Sequence, residues 1–287
     1  MNGLVQPGKT VALLDTTVQI DRRKMPEREQ KLSKLLERFD WTVTTSISLL
    51  EFKAVLIQEC ITIHNRLRED GRFFIARDRL LESQHPQSRL RSHIFNNLIC
   101  VFGVPGEVSD AEEQLLAEKA RLQLENVIPR LYSWFIKSST SGGVLRKTIN
   151  CTRAFEPPTK GRAAFRTNLP KCHRGNKSCT VEKAIRDKGI EFVSQLRQQG
   201  QASEQLLRTA DLFQSVLENT EADLSHSECR RAGDTLIALE AEGVATHCVS
   251  SNTREWQPIA KLFGLVHLDH AHDAPNSTDP TKEQRET

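Results

Sequence analysis

The sequence contains no apolar run long enough to span a membrane, and it shows no internal repeat. Residues 1–10 lack the basic stretch and the apolar segment that are typical of a secretory signal, so we expect a cytoplasmic protein. In that reducing compartment we expect the seven cysteines to stay free or to bind metal. These absences favour a soluble globular chain, and its 287 residues are enough for one large domain or for a core plus a sizeable insertion.

The opening stretch GLVQPGKT, Gly3 to Thr10, matches the pattern of a phosphate-binding loop. Such a loop requires a buried strand before it and a helix after it, so that backbone N–H groups converge on the phosphates. Only Met1 and Asn2 precede Gly3, and the run VALLD that follows Thr10 is typical of a strand. We therefore interpret this stretch as a segment that leads into a first strand, without a nucleotide site.

The charge of the chain is unevenly distributed. The overall net charge is +3, yet the segment from Arg146 to Lys177 contains nine basic residues and a single acid, Glu156. The rest of the chain is therefore net acidic. A concentrated basic segment indicates a polyanionic partner, although a solvated loop has the same composition.

Apolar periodicity predicts strands and helices that alternate at both ends of the chain. The predicted strands are 11–14, 42–44 and 245–249, and the main predicted helices are 27–39, 46–64, 181–199, 204–219, 233–242 and 256–263. This alternation predicts an α/β fold with a central parallel sheet flanked by helices. Residues 60–205 lack this alternation of strands and helices, and they are mainly helical between 66 and 137. This part of the chain therefore indicates a large insertion.

The predicted organisation has four parts. They are the N-terminal part of the α/β domain (1–59), a mainly helical insertion (60–205) that contains a basic, cysteine-containing segment (146–180), the C-terminal part of the domain (206–266), and a polar tail (267–287) that we expect to be disordered.

Acidic residues lie where the predicted strands end or the predicted helices begin. Asp15 ends the first strand in VALLDTTVQID, Glu51 lies early in the helix SISLLEFKAVL, Asp234 lies near the start of GDTLIALEAEG, and Glu255 lies in SSNTREW. Ligands of open α/β sheets bind beyond the carboxyl ends of the strands. We therefore expect Asp15 and the SSNTREW turn to face the same crevice.

In this order, the stretches VALLDTTVQID, TSISLLEFKAVL, RRAGDTLIALEAEG and CVSSNTREWQPIAKLFGL resemble the PIN-domain nucleases, metal-dependent ribonucleases that include many bacterial toxins. The resemblance covers residues 10–57 and 205–266. It implies a PIN-like fold in which the acids gather around one or two divalent cations. Asp15, Glu51 and Asp234 would then be metal-binding and catalytic, with Asn252 and Glu255 assisting. Family members often have an aspartate where this chain has Glu255.

The chemistry of carboxylates agrees with this implication. Three or four of them share a crevice only if a cation neutralises them or if they take up protons. Mg²⁺ and Mn²⁺ prefer oxygen ligands, lower the pKa of a bound water and offset charge on a phosphate. Thr17, two residues after Asp15, is placed to hold a carboxylate or a water of such a site.

The function that we predict is divalent-metal-dependent phosphodiester hydrolysis, by an endoribonuclease that contacts the RNA backbone through Arg146–Lys177. The alternatives are a structure-specific DNA nuclease and a non-catalytic RNA-binding or assembly protein with a relic site. An antitoxin-like or homo-oligomeric partner is a further possibility. General acid–base cleavage by His64 and His93 without metal is disfavoured, because nothing in the sequence places them together.

Three cysteines and a histidine cluster in the basic segment. Cys151, Cys172 and Cys179, together with His173, offer the four ligands that a structural Zn²⁺ requires in a segment with little core of its own. Their spacing differs from the paired C-x-x-C of common zinc modules, so unlinked thiols remain the alternative. Another donor can replace His173, since adjacent residues rarely both bind one ion comfortably.

The zinc hypothesis is tested by metal analysis of the purified protein. We expect about one equivalent of Zn²⁺, and we expect Cys172→Ser to lose the ion and to unfold at a lower temperature, because metal binding is coupled to folding. Cys100→Ser, outside this segment, is the control and should keep the ion. A wild-type protein that stays fully folded and zinc-free after chelation would contradict the hypothesis.

Overall fold

The computed structural model of the chain describes residues 8–24, 26–82, 87–103, 108–138, 143–161, 164–166, 179–198 and 203–270. These residues form thirteen helices: α1 (Thr16–Lys24), α2 (Pro26–Leu36), α3 (Ser46–Phe52), α4 (Gln58–Asp70), α5 (Phe73–Glu82), α6 (Ser88–Phe102), α7 (Asp110–Ser138), α8 (Thr152–Phe155), α9 (Val181–Gln198), α10 (Glu204–Glu218), α11 (His226–Arg231), α12 (Gly233–Ala241) and α13 (Thr253–Leu262). A π-helical turn, Lys53–Ile57, lies between α3 and α4.

The same residues form seven strands: β1 (Val11–Leu14), β2 (Trp41–Thr45), β3 (Gly143–Arg146), β4 (Thr159–Lys160), β5 (Phe165–Arg166), β6 (His247–Val249) and β7 (Val266–Leu268). Within the described part of the chain, no helix has both the length and the apolar character needed to cross a membrane.

The chain divides into two compact units. The first unit comprises residues 1–48, 139–150 and 179–287, and the second comprises residues 49–138 and 151–178. The boundary between residues 48 and 49 falls inside α3, so this helix starts in the first unit and ends in the second.

The first unit is built on a five-stranded parallel sheet. Its strand order is β3-β2-β1-β6-β7, and every neighbouring pair runs parallel. The central strand β1 is the apolar run VALL, and all four of its residues are buried, as is usual for a parallel sheet covered on both faces. The prediction of an α/β fold with a central parallel sheet flanked by helices is confirmed.

Helix α12 lies inside the first unit. It contacts β2, α9 and α13, and each of its residues except Asp234 is buried. Its sequence, GDTLIALEA, is apolar around almost the whole helix, which is typical of a helix that neighbouring elements surround. The packing of this helix therefore fixes the position of Asp234, the charged residue near its start.

The chain beyond residue 266 differs from the prediction in one respect. Val266–Leu268 forms the edge strand β7 and pairs with β6, where the sequence suggested only a polar tail. His270 is also buried, and its Nε2 lies 3.0 Å from Oδ2 of Asp21 on α1. This strand has only three residues, and one of them, His267, is polar. Its formation therefore depends on pairing with β6 and not on local propensity. The remainder of the predicted tail, residues 271–287, lies outside the described residues.

The second unit is mainly helical. Helix α4 contacts α5, α6 and α7, and two aromatic pairs connect α3 with α7 and α5 with α6. The ring centroids of Phe52 and Phe135 are 4.9 Å apart, and those of Phe73 and Phe95 are 5.5 Å apart. All four phenylalanine side chains are fully buried. This unit therefore has an apolar core of its own.

A buried lysine marks the point where the predicted helix 46–64 is interrupted by the π-helical turn. Lys53 is fully buried, and its ammonium group donates to the backbone carbonyls of Arg153, Ala154 and Glu156. Burial lowers the pKa of Lys53 to about 8. The three carbonyl contacts connect this turn to the segment around α8. Sequence periodicity could not reveal them, because the partners are about 100 residues away.

A second buried charge joins three elements of the first unit. The carboxylate of Glu240, on α12, accepts hydrogen bonds from the backbone N–H of Ser46 at 3.2 Å and of Ile149 at 3.2 Å. The hydroxyl of Ser46 also lies 3.1 Å from Oε2 of Glu240. Burial raises the pKa of Glu240 to about 7, and these hydrogen bonds act in the opposite direction.

The titration of Glu240 predicts how stability depends on pH. A carboxyl group with a raised pKa in the folded state binds its proton more tightly there than in the unfolded chain, so stability falls as pH rises from 4.5 to about 7. We expect Glu240→Gln, which does not titrate, to remove about 3 kcal/mol of this pH-dependent change in the free energy of unfolding. Urea unfolding of the wild type and of Glu240→Gln, from pH 4.5 to about 7, measures this difference in the free energy of unfolding. Equal pH dependence in the two proteins would contradict this assignment.

Candidate metal centre

Asp15 follows the last residue of the central strand and is almost completely buried. Its side chain is 2% exposed, and its backbone N–H donates to the carbonyl of Val249 at 3.1 Å, at the end of β6. The carboxylate therefore lies at the carboxyl edge of the sheet, as the sequence predicted for this type of fold.

Both oxygens of the Asp15 carboxylate accept hydrogen bonds. Oδ1 accepts from the backbone N–H of Thr16 at 2.6 Å. Oδ2 accepts from the hydroxyls of Thr17 and Ser250, each at 2.7 Å. Each carboxylate oxygen has two lone-pair directions, so these bonds orient Asp15 and leave acceptor capacity for a cation. Thr17 makes the contact with a carboxylate that its position in the sequence suggested.

Ser250 is the contact of Asp15 that sequence analysis missed. It is fully buried directly after β6, and its hydroxyl also accepts the backbone N–H of Asn252 at 3.0 Å. One hydroxyl thus connects the carboxylate at the end of β1 to the turn that follows β6. The position of Ser250 directly after a predicted strand could have revealed this contact, because polar residues there lie at the ligand-binding edge of the sheet.

Three of the predicted acids come together. One carboxylate oxygen from each of Asp15, Glu51 and Asp234 lies within 4.8 Å of the others, and no other group of at least three His, Cys, Asp or Glu residues in the described part of the chain meets this condition. Asp15 is buried, and the other two are half-buried. Glu51 lies on α3, the helix that begins directly after β2, and Asp234 is the second residue of α12.

The geometry of this acid cluster, Asp15, Glu51 and Asp234, suits a hard divalent cation. All three donors are carboxylate oxygens, the ligands that Mg²⁺ and Mn²⁺ prefer. A thiol lies nearby, but burial and the negative charges of Asp15 and Asp234 raise the pKa of Cys248 well above its ordinary value. Cys248 therefore stays a neutral thiol, and the cluster offers only oxygen ligands.

The fourth predicted acid does not join the acid cluster. Among the described residues, Glu255 lies outside the group, and its Oε2 accepts the side-chain amide of Asn252 at 2.6 Å. Asn252 in turn donates its backbone N–H to Ser250. Glu255 is therefore connected to Asp15 through two intervening residues, Asn252 and Ser250.

The proposed zinc ligands are only partly described. Cys172 and His173 fall within residues 167–178, outside the described residues. Cys151 is buried, and Cys179 is half-buried. The zinc site stays a prediction.

Part of the basic segment makes contacts within the protein. The side chain of Arg153 is buried, and Lys160 forms an ion pair with Glu125 at 2.6 Å. His64 is also buried, between Glu125 at 3.2 Å and Asn65 at 2.9 Å. Arg153 and Lys160 are therefore less available to a polyanion than their sequence suggested.

Comparison of the chain with protein-family models, with curated proteins and with solved structures finds no match. The resemblance to PIN-domain nucleases stays a hypothesis that depends on the four sequence stretches and on the chemistry of the acids.

Cation binding is tested by thermal unfolding with and without Mn²⁺. A cation at a hundred times its dissociation constant stabilises the folded state by about 2.7 kcal/mol, so Mn²⁺ should raise the melting temperature of the wild type. We expect Asp234→Asn to abolish this increase. The same substitution should raise the melting temperature without cation, because it removes one of three mutually repelling charges.

The matched control for this experiment is Asp211→Asn, which neutralises an exposed acid on α10. This variant should respond to Mn²⁺ as the wild type does. An equal Mn²⁺ response in wild type and Asp234→Asn would show that the cation binds elsewhere.

Proposed function

We propose that this protein is a divalent-metal-dependent phosphodiester hydrolase with a PIN-like fold, and that it cleaves RNA. The observation that supports the proposal is the acid cluster, in which carboxylates from three separate elements approach within 4.8 Å at the carboxyl edge of the sheet. The choice of RNA over DNA depends on the resemblance of the four sequence stretches to a family of ribonucleases.

The residues of the acid cluster fit a bound Mg²⁺ or Mn²⁺. Asp15, Glu51 and Asp234 would hold the ion, since they supply oxygen donors and a negative charge that requires neutralisation. When bound, such an ion lowers the pKa of a water and offsets charge on the phosphate. No histidine or thiolate in the acid cluster competes for this role.

The other residues at this edge of the sheet position the acids. Thr17 and Ser250 fix the orientation of the Asp15 carboxylate through Oδ2, so that the donor geometry exists before substrate arrives. Asn252 and Glu255 are fixed to each other and, through Ser250, to Asp15. We assign them an assisting role at the rim of the acid cluster.

One observation favours the alternative of a non-catalytic RNA-binding protein. Glu255, where related nucleases often have an aspartate, is engaged by Asn252 and lies outside the acid cluster among the described residues. Three acids nevertheless remain together, and two of them would suffice for Mg²⁺, which is commonly held by one or two carboxylates and several waters.

Substitution of the acids tests the proposed function. We expect Asp15→Asn and Asp234→Asn each to lower the rate of RNA cleavage at least about a hundredfold with Mn²⁺ present, because they remove cation ligands and little volume. RNA affinity should remain within about twofold, because phosphate contacts made by basic side chains are untouched. The measurements are single-turnover cleavage and binding of labelled RNA.

The exposed-acid variant Asp211→Asn should cleave RNA at the wild-type rate. Folded wild type that binds RNA in the presence of Mn²⁺ and leaves both RNA and DNA intact would refute the proposal. Cleavage confined to DNA would support the structure-specific DNA nuclease instead.

A further inference from the structure

A cleft of about 520 Å³ lies in the first unit beside the turn that carries Glu255. Three helices contribute its walls: the first residues of α10, the last residue of α11 and the first turn of α13. We call it the arginine cleft, and it is lined by Ser203, Glu204, Gln205, Arg208, Arg231, Arg254 and Glu255.

Two of the three arginines in this cleft are available to a ligand. Arg208 forms an ion pair with Glu204 at 2.5 Å. The side chains of Arg231 and Arg254 are exposed, and no hydrogen bond or ion pair connects either of them to another described residue. The carboxylates of the cleft are both engaged, Glu204 by Arg208 and Glu255 by the amide of Asn252. The unpaired charge of the cleft is therefore positive.

Both arginines of the cleft lie close in sequence to residues of the candidate site. Arg231 precedes Asp234 by three residues, at the turn between α11 and α12. Arg254 lies on the first turn of α13, two residues after Asn252. Glu255 lines the cleft and is connected through Asn252 and Ser250 to the carboxylate of Asp15. Arg231 thus lies on the segment that carries Asp234, and Arg254 lies on the segment that carries Asn252 and Glu255.

We propose that the arginine cleft binds a phosphodiester of the RNA strand next to the one that is cleaved, with Arg231 and Arg254 as its phosphate ligands. This inference rests on the proposed function for the identity of the polyanion. A guanidinium group presents a planar set of donors that matches two phosphate oxygens, and it stays charged at all physiological pH values. A cleft of this volume lies within the range of pockets that hold small ligands, so a nucleotide unit fits.

The two arginines of the cleft are more accessible to a polyanion than two cations of the basic segment. Arg153 and Lys160 in that segment are buried or paired, whereas Arg231 and Arg254 are exposed and unpaired among the described residues. Phosphate contacts of Arg231 and Arg254 would add affinity with little sequence preference, because phosphates carry no base identity.

The test compares two double substitutions that remove the same charge. Arg231→Ala/Arg254→Ala alters the cleft, and Arg197→Ala/Arg230→Ala removes two exposed arginines of the same unit that do not line it. Both are made in the Asp15→Asn protein so that the RNA stays intact, and binding of a short single-stranded RNA is measured by fluorescence anisotropy over a salt series.

We expect the cleft variant to bind RNA roughly tenfold more weakly and to lower the slope of log affinity against log salt by about 1.4, which corresponds to two phosphate contacts on a single strand. The control variant should keep the slope of the parent. Arg231→Lys/Arg254→Lys, which preserves the charge, should restore the slope. Far-UV circular dichroism should show all variants folded, since these side chains are exposed.

Equal slopes in the cleft variant and its parent, or an equal loss in the control variant, would overturn the inference. So would a parent protein that does not bind RNA. The result is separable from the proposed function, because binding is measured without cleavage. A smaller salt slope in the cleft variant supports phosphate binding by the arginine cleft, even if wild type with Mn²⁺ leaves RNA uncut. Unchanged salt slopes together with efficient cleavage would refute phosphate binding by the cleft and leave the proposed function intact.

Discussion

Three carboxylates within 4.8 Å of one another repel unless a cation or protons offset their charge, and this constraint organises the site. The fold holds the acids there in spite of the repulsion. Asp15 follows a strand that is buried at every residue, and Asp234 begins a helix that is otherwise buried. Glu51 is carried by a helix that starts directly after β2. Neutralisation by a cation or by protons would relieve the repulsion.

The hydroxyl contacts around Asp15 connect the ends of two strands to the rim of the site. Thr17 and Ser250 both donate to the same carboxylate oxygen, and Ser250 also accepts from the turn that carries Asn252. Glu255, held by Asn252, then lines the arginine cleft. A continuous set of hydrogen bonds therefore runs from Asp15 to Glu255, which lines the cleft of the proposed phosphate contacts.

Local sequence patterns predicted the parts of the fold that are locally encoded. The strand VALL and the apolar helix GDTLIALEA carry strong signals, and the structure places both where they were predicted. The strand-edge rule predicted that Asp15 and the SSNTREW turn face the same crevice, and the resemblance to PIN-domain nucleases added Asp234 to that site. The domain boundaries and the PIN-like assignment stay predictions.

The features that the sequence did not predict depend on contacts between distant parts of the chain. Ser250 is 235 residues from Asp15, and Glu240 is 194 residues from Ser46. Lys53 finds its carbonyl partners about 100 residues away, and β7 exists because it pairs with β6. Arg231 and Arg254 are ordinary surface residues in the sequence, and only the fold brings them into one cleft. Hydrophobic periodicity reports which face of an element is buried, and it does not report which elements meet.

Anomalous diffraction from crystals of the protein grown with Mn²⁺ tests most directly whether the acid cluster holds the proposed cation. We expect an anomalous peak at about 2.0–2.3 Å from carboxylate oxygens of the acid cluster, the distance range of hard divalent cations with oxygen ligands. This peak should be absent from crystals of the Asp234→Asn protein. Mn²⁺ bound only at other residues, at a concentration that supports RNA cleavage, would show that the acid cluster is not the cation site.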